Sequence, residues 1–175
     1  MGKEVIQAIK DRVSIRDYQA REIADDKIKD IIEAAHLAPS AGNLQPWEFH
    51  IVKNKEKISQ LAELTSGQEW IASSPVIIVI SALTDISKQK YGERGSSLYA
   101  IQDTAAAIEN LLLAAESYDL GSCWVGDFNE GDVKRILSLK ESSWPVAFVT
   151  LGYTASKAEE TRPQRSIDEV MTIIN

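Results

Sequence analysis

Apolar residues fall at helical spacing at Val5, Ile6 and Ile9, which predicts a short first helix over residues 4–12. A second helix is predicted after Asp25, a capping candidate, with Ile28, Ile31, Ile32 and Ala35 on one face and Pro39 beyond its end. Residues 49–52 read as a strand and 55–64 as a helix. Pro75 opens the run Val76-Ile77-Ile78-Val79-Ile80, β-branched throughout. Being apolar on both faces, it predicts a central buried strand. Residues 84–97 are polar, carry Gly92 and Gly95, and read as a mobile loop. Residues 98–118 form the longest helical stretch, with Ala105, Ile108, Leu111, Leu112 and Ala115 recurring and Gly121 as its end. A short helix is predicted over 132–139 and a second central strand over 146–151. From Thr154 onward the chain is polar except for Ile167, Val170 and Ile173. Helices mixed with a few strands, without regular βαβ alternation, predict an α+β fold. With no repeats or linkers, residues 1–175 are expected to form a single domain.

The formal charge of −7 disfavours a nucleic-acid backbone or an anionic membrane surface as partner. The single cysteine, Cys123, cannot form an internal disulfide, which suits a reducing compartment. The first residues lack a signal-peptide core, and the longest apolar run, 76–80, is too short to span a bilayer. A cytoplasmic protein with no nucleic-acid and no membrane partner is expected. His36 and His50, the two histidines, are far apart and have no cysteine cluster beside them, so no metal site is expected. Neither a Gly-x-Gly-x-x-Gly nor a Walker-type loop occurs, which leaves Rossmann and P-loop readings without support.

Two segments carry candidate chemistry. Arg12-Val13-Ser14-Ile15-Arg16 puts two guanidinium groups and a hydroxyl at alternate positions. In an extended chain these point the same way and form a receptor for phosphate. The bland alternative is a helix-end cluster paired with Asp11 and Asp17. Pro39-Ser40-Ala41-Gly42-Asn43-Leu44-Gln45-Pro46-Trp47 is a Pro-bounded loop of small and amide residues, able to approach a flat polar ring. Its bland alternative is an ordinary turn after a helix. A phosphate clamp together with such a loop suggests a nucleotide-like cofactor.

At these residues the chain resembles the flavin-dependent nitroreductases. Their signature is Arg-x-Ser-x-Arg (or Lys) followed by Ala-Pro-Ser-x-x-Asn-x-Gln-Pro-Trp, found here at 12–16 and 38–47. Gly121-Ser122-Cys123-Trp124-Val125-Gly126-Asp127-Phe128 is similar to the family's Gly-x-x-Trp-Ile-Gly loop, and Leu151-Gly152-Tyr153 to its Leu-Gly-Tyr-Pro strand end. The resemblance implies a nitroreductase-like fold, a small mixed central sheet surrounded by helices. It also implies a homodimer with flavin mononucleotide (FMN) at the subunit interface. NADH or NADPH would be the reductant, and a small-molecule electron acceptor, a nitroaromatic or quinone, would be served by a ping-pong sequence.

Residue by residue, the resemblance implies that Arg12 and Ser14 hold the flavin phosphate or ribityl chain and Arg16 sits near N1 and the C2 carbonyl. Val13 departs from the family's usual second Arg. Pro39, Ser40 and Asn43 would contact the flavin of the other subunit, while Gln45, Pro46 and Trp47 shape the turn. Gln68 would meet the pyrimidine edge. Val125 and Gly126 would flank the ring, with the Gly126 N–H toward N5 or O4. Arg162 or Arg165 would add a cation at the phosphate. No side chain is expected to be catalytic, since flavin N5 carries the chemistry. Cys123 reads as a buried thiol rather than a nucleophile. The alternatives are a dehalogenase-like or flavin-cleaving branch of the same fold, or a non-catalytic flavin-binding protein.

Overall fold

The computed structural model describes residues 3–156 and 163–174. Its centre is strand β2, Val76–Ala82, buried at every position. With β1 (Trp47–Val52), β3 (Gly121–Val125) and β4 (Trp144–Gly152) it forms a sheet of order β1-β2-β4-β3. The strands pair antiparallel, with Phe49 opposite Ile80, Ile78 opposite Val149 and Cys123 opposite Thr150. Among the described residues a parallel contact appears at the isolated bridge between Ser14 and Ser122.

Successive β2 side chains point to opposite faces, and both faces are covered. Val76, Ile78 and Ile80 pack in a core with Ile28, Ile31 and Ala35 of α2 (Asp25–His36) and with Ile108, Leu111 and Leu112 of α5 (Ala100–Ser117). Ile77 and Val79 pack with Ile58 and Leu61 of α3 (Lys55–Glu63) and Val133 of α6 (Glu130–Leu137). Phe148 joins this second layer, stacked on Phe128 with ring centroids 4.1 Å apart. Each fully buried Ile, Leu or Phe contributes about 1.5–3 kcal/mol. The continuous apolar run therefore dictates a sheet between two helical layers.

Local signals place most elements within two or three residues. Helix α1 is Val5–Asp11. Asn54 and Asn129 cap α3 and α6, each side-chain oxygen accepting a backbone N–H, from Lys57 (3.0 Å) and Asp132 (2.9 Å). Asp25 does not cap α2; Ala24 is the capping position, and Asp25 and Asp26 lie in the first turn, where the helix dipole favours them.

Two further expectations fail. Residues 84–97 are not a loop: α4 spans Thr84–Arg94 and a π-helical turn, Gly95–Tyr99, leads into α5. The segment is too polar to show an apolar face, and tertiary contact overrides that weak local signal. A Cβ on Gly95 would meet the Ser87 carbonyl carbon at 2.7 Å, so the helix and its continuation touch backbone to backbone. Nor does Gly121 end α5. The helix stops at Ser117, Asp119 takes the left-handed turn (φ 57), and Gly121 begins β3.

One polar cluster sits on the α3/α6 face of the sheet. His50 Nε2 lies 3.2 Å from Ser81 Oγ and 3.9 Å from Glu48 Oε2. The Ser143 hydroxyl donates to Glu48 at 2.6 Å, and Lys140 Nζ stands 3.4 Å from it. Burial holds the His50 pKa below its usual 6.5, with Glu48 opposing that shift. The hydrogen bond from Ser143 holds Glu48 below its usual 4.5. The fold therefore favours neutral His50 and ionised Glu48. The His50 contribution is fully present above pH 6.5 and is lost as pH falls through its lower folded value; that of Glu48 is lost at lower pH still. Denaturant midpoints should fall between about pH 7 and 5, and His50→Gln should flatten that slope. An unchanged slope in the variant would assign the acid sensitivity elsewhere.

Candidate functional site

The segment after α1 is strapped across the ends of β3 and β4. The Ile15 N–H donates to the Ser122 carbonyl at 2.9 Å, beside the Ser14–Ser122 bridge. Tyr18 bridges Thr154, its hydroxyl donates to the Ile15 carbonyl at 2.6 Å, and Thr150 Oγ1 is 2.7 Å away. Burial raises the Tyr18 pKa above its usual 10, so the phenol remains a neutral donor. Two glycines make room for this strap. A Cβ on Gly121 would lie 2.7 Å from Thr154 Oγ1 and 2.8 Å from Ile15 Cγ1. A Cβ on Gly152 would lie 2.7 Å from Tyr18 Cδ1 and 2.8 Å from Pro75 Cδ. Both glycines come from the sequence motifs, and packing accounts for them.

Arg12, Val13 and Ser14 are half-buried, Ile15 is buried, and Arg16 is exposed. Asp11 is engaged by Lys3 at 3.4 Å, and Lys3 also holds Glu116 of α5 at 2.5 Å, tying α1 to the body. Arg12 forms no ion pair among the described residues. The Arg16 guanidinium lies 5.8 Å from the Trp70 ring. Gln68, two residues before Trp70, stands at the head of the 3-10 turn Glu69–Ser73. Along β3, four strand residues carry the chain from Ser122 to Gly126, about 13 Å at the usual rise. The Val125 side chain is buried in the α3/α6 core. Gly126 is exposed, and a Cβ there would meet nothing nearer than Trp124 Nε1 at 4.0 Å. No internal contact demands this glycine. The open space above it suits a flat ring brought close to the backbone, and the clamp at the other end suits a phosphate.

Residues 39–45 form the second part. A 3-10 turn, Ala41–Asn43, is followed by the entry into β1. Gly42 (φ 60), Asn43 (φ 57) and Gln45 (φ 50) are left-handed. For Gln45 this costs about 1–2 kcal/mol. The loop holds itself in this shape: the Gln45 N–H donates to Ser40 Oγ at 2.9 Å, and Gln45 Nε2 to the Asn43 carbonyl at 3.0 Å. Trp47 is core, and its Nε1–H donates to His36 Nδ1 at 3.1 Å. Two further contacts were not legible in the sequence. The Ala41 N–H donates to Asp103 Oδ1 of α5 at 3.0 Å. Gly42 presses against the side-chain ends of Lys90 and Tyr91 of α4. Desolvation raises the Asp103 pKa, opposed by the Ala41 hydrogen bond. A signal for Asp103 existed: it is an acidic residue on the alanine-rich face shared with Ala100 and Ala107.

The two parts do not meet in one chain. Residues 39–45 feed β1, while the strap and Gly126 flank β3, at the opposite edge of the sheet. Three strand spacings separate these edges, about 14 Å. Arg165 lies in the exposed segment 163–174, and Arg162 lies outside the described residues. Cys123 is buried and forms no disulfide, and no group of His, Cys, Asp and Glu able to hold a metal occurs among the described residues. No helix there is long and apolar enough to cross a membrane.

Residues 9–68 and 64–153 match the model of the Nitroreductase family. The chain belongs to the nitroreductase family. A relative from Archaeoglobus fulgidus, provisionally named an NADH dehydrogenase/NAD(P)H nitroreductase, is 35% identical over 155 residues, covering 86% of each chain. An FMN reductase [NAD(P)H] of Bacillus subtilis is 29% identical over 187 residues, covering 98% of this chain and 75% of that one. Among solved structures, a nitroreductase family protein from Streptococcus pneumoniae superposes with a TM-score of 0.90 at 25% identity, covering 98% of this chain and 100% of that one. The α+β nitroreductase fold expected from the sequence is the fold found.

Proposed function

We propose that this nitroreductase-family chain is an NAD(P)H-dependent flavin oxidoreductase that binds FMN between two copies of itself. Bound FMN would supply the redox chemistry: hydride uptake from NADH or NADPH at N5 and, in a ping-pong sequence, reduction of a nitroaromatic or quinone acceptor. The protein's residues bind and orient. Arg12 and Ser14, with Arg165 or Arg162, would hold the phosphate and ribityl chain by charge-assisted hydrogen bonds. Arg16 would favour negative charge at the N1–C2 edge, and Gln68 would meet the pyrimidine. The backbone of Val125 and Gly126 would line the ring. Pro39, Ser40 and Asn43 would come from the second subunit.

The observation that carries this reading is the placement of the two halves of the motif at opposite edges of one sheet. A two-fold-related copy would bring one half from each chain to the same flavin. Exposed apolar residues support an unpaired surface: Val5, Ile6 and Ile9 on α1, and Ile167, Val170, Met171, Ile173 and Ile174 near the end of the chain. The lone buried Cys123 suits a reducing cytoplasm.

The purified protein is expected to be yellow, to scatter light as a dimer, and to carry two equivalent flavins. Its flavin should bleach rapidly on stopped-flow mixing with NADH or NADPH. A flavin-loaded monomer would refute the shared site. A flavin that neither nucleotide bleaches would favour a non-catalytic flavin-binding protein.

A further inference from the structure

The loop at residues 39–45 is held from outside by a group that none of the sequence motifs contains. Asp103 lies 62 residues from Ala41 in sequence, yet its Oδ1 accepts the Ala41 N–H at 3.0 Å. Its other oxygen, Oδ2, is buried without a hydrogen-bond partner among the described residues. The side chain is 8% exposed, and its neighbours on the same helix face, Ala100 and Ala107, are fully buried and apolar. Packing alone would favour an apolar residue here. A buried carboxylate with one oxygen unpaired works against stability. The group it does hold is the first amide of a turn whose next residues, Gly42 and Asn43, are left-handed, with Gln45 following them. Unfavourable backbone of this kind persists where the surroundings over-determine it.

We infer that Asp103 is a positioning residue: by gripping the Ala41 amide it holds the left-handed loop in the shape that receives the partner subunit's flavin. The inference rests on the reading that residues 39–43 contact FMN. Asp103 does not itself touch the cofactor in this account. It acts through Ala41, and the internal hydrogen bonds to Ser40 Oγ and the Asn43 carbonyl carry the constraint to the rest of the loop.

Three variants test this, with FMN dissociation constants from flavin fluorescence titration and melting temperatures of the flavin-free protein. Asp103→Leu keeps the approximate shape and removes both oxygens. It should weaken FMN binding about tenfold while leaving the melting temperature unchanged or higher, because an unpaired buried acceptor is gone. Asp103→Asn keeps an oxygen that accepts the Ala41 N–H and should bind FMN within about threefold of the parent. Ala41→Pro removes the donor instead, at the first position of the turn and after an extended Ser40 (φ −141), where proline is tolerated. It should reproduce the loss seen in Asp103→Leu, and the double variant should lose little more. A residue that served stability alone would move melting temperature and affinity together. The inference is overturned if Asp103→Leu, or Ala41→Pro should the former not fold, binds FMN as tightly as the parent. It is also overturned if Asp103→Asn is as weak as Asp103→Leu. A parent protein that binds no FMN would instead defeat the proposed function.

Discussion

Replacing Arg12 with alanine is expected to weaken FMN retention about tenfold or more. The guanidinium is half-buried at the end of α1 and makes no ion pair among the described residues, so it is available to an anion. Loss of a charge-assisted contact to phosphate costs about 1.5–3 kcal/mol, and each 1.4 kcal/mol is a factor of ten. The Lys3 bridge to Asp11 and Glu116 does not involve Arg12, so α1 should stay docked and the fold should survive. The comparison is made by equilibrium dialysis of flavin against parent and variant, with circular dichroism as the folding check. Equal retention in a folded variant would remove Arg12 from the site.

Gly121→Val should have a larger effect, and for a different reason. The new Cβ would sit 2.7 Å from Thr154 Oγ1 and 2.9 Å from Ile15 Cβ, closer than such atoms come in folded proteins. Ile15 is buried, branched at Cβ and stiff, so the strap as a whole must move rather than one side-chain tip. Overpacking of this kind costs about 1–3 kcal/mol or more, which in a chain of this size lowers the melting temperature by roughly 3–10 °C. Displacing Ile15 also displaces Ser14 and Arg16 on either side of it, so FMN affinity should fall at least about tenfold, since contacts of this type are sensitive to shifts of about 1 Å. Gly126→Ala is the control. Its Cβ would meet nothing nearer than Trp124 Nε1 at 4.0 Å, so stability should be unaltered, and any loss of flavin would report close approach of the ring to that backbone. If Gly121→Val left both melting temperature and flavin affinity untouched, the strap would not be what orients the clamp.

Sequence alone determined what local periodicity and residue chemistry can encode. The β-branched run of β2 permits one environment, the middle of a sheet covered on both faces, and the structure has it there. The spacing of Arg12, Ser14 and Arg16 at every second residue was readable in the letters, and the structure buries Ile15 between the last two. Motif residues such as Gly121 and Gly152 were visible as letters, although what they accommodate was not. Tertiary structure decided the rest, because the deciding contacts are distant in sequence. Helix α4 has too polar a sequence to announce itself and is defined by backbone packing of Ser87 against Gly95. The partner of Asp103 is 62 residues away, so no window along α5 could show which amide it serves. Strand order separated the clamp from residues 39–45: the chain places β1 and β3 at opposite edges by routing β2 and β4 between them, and hydrogen-bonded pairing across the sheet, not local propensity, sets that order.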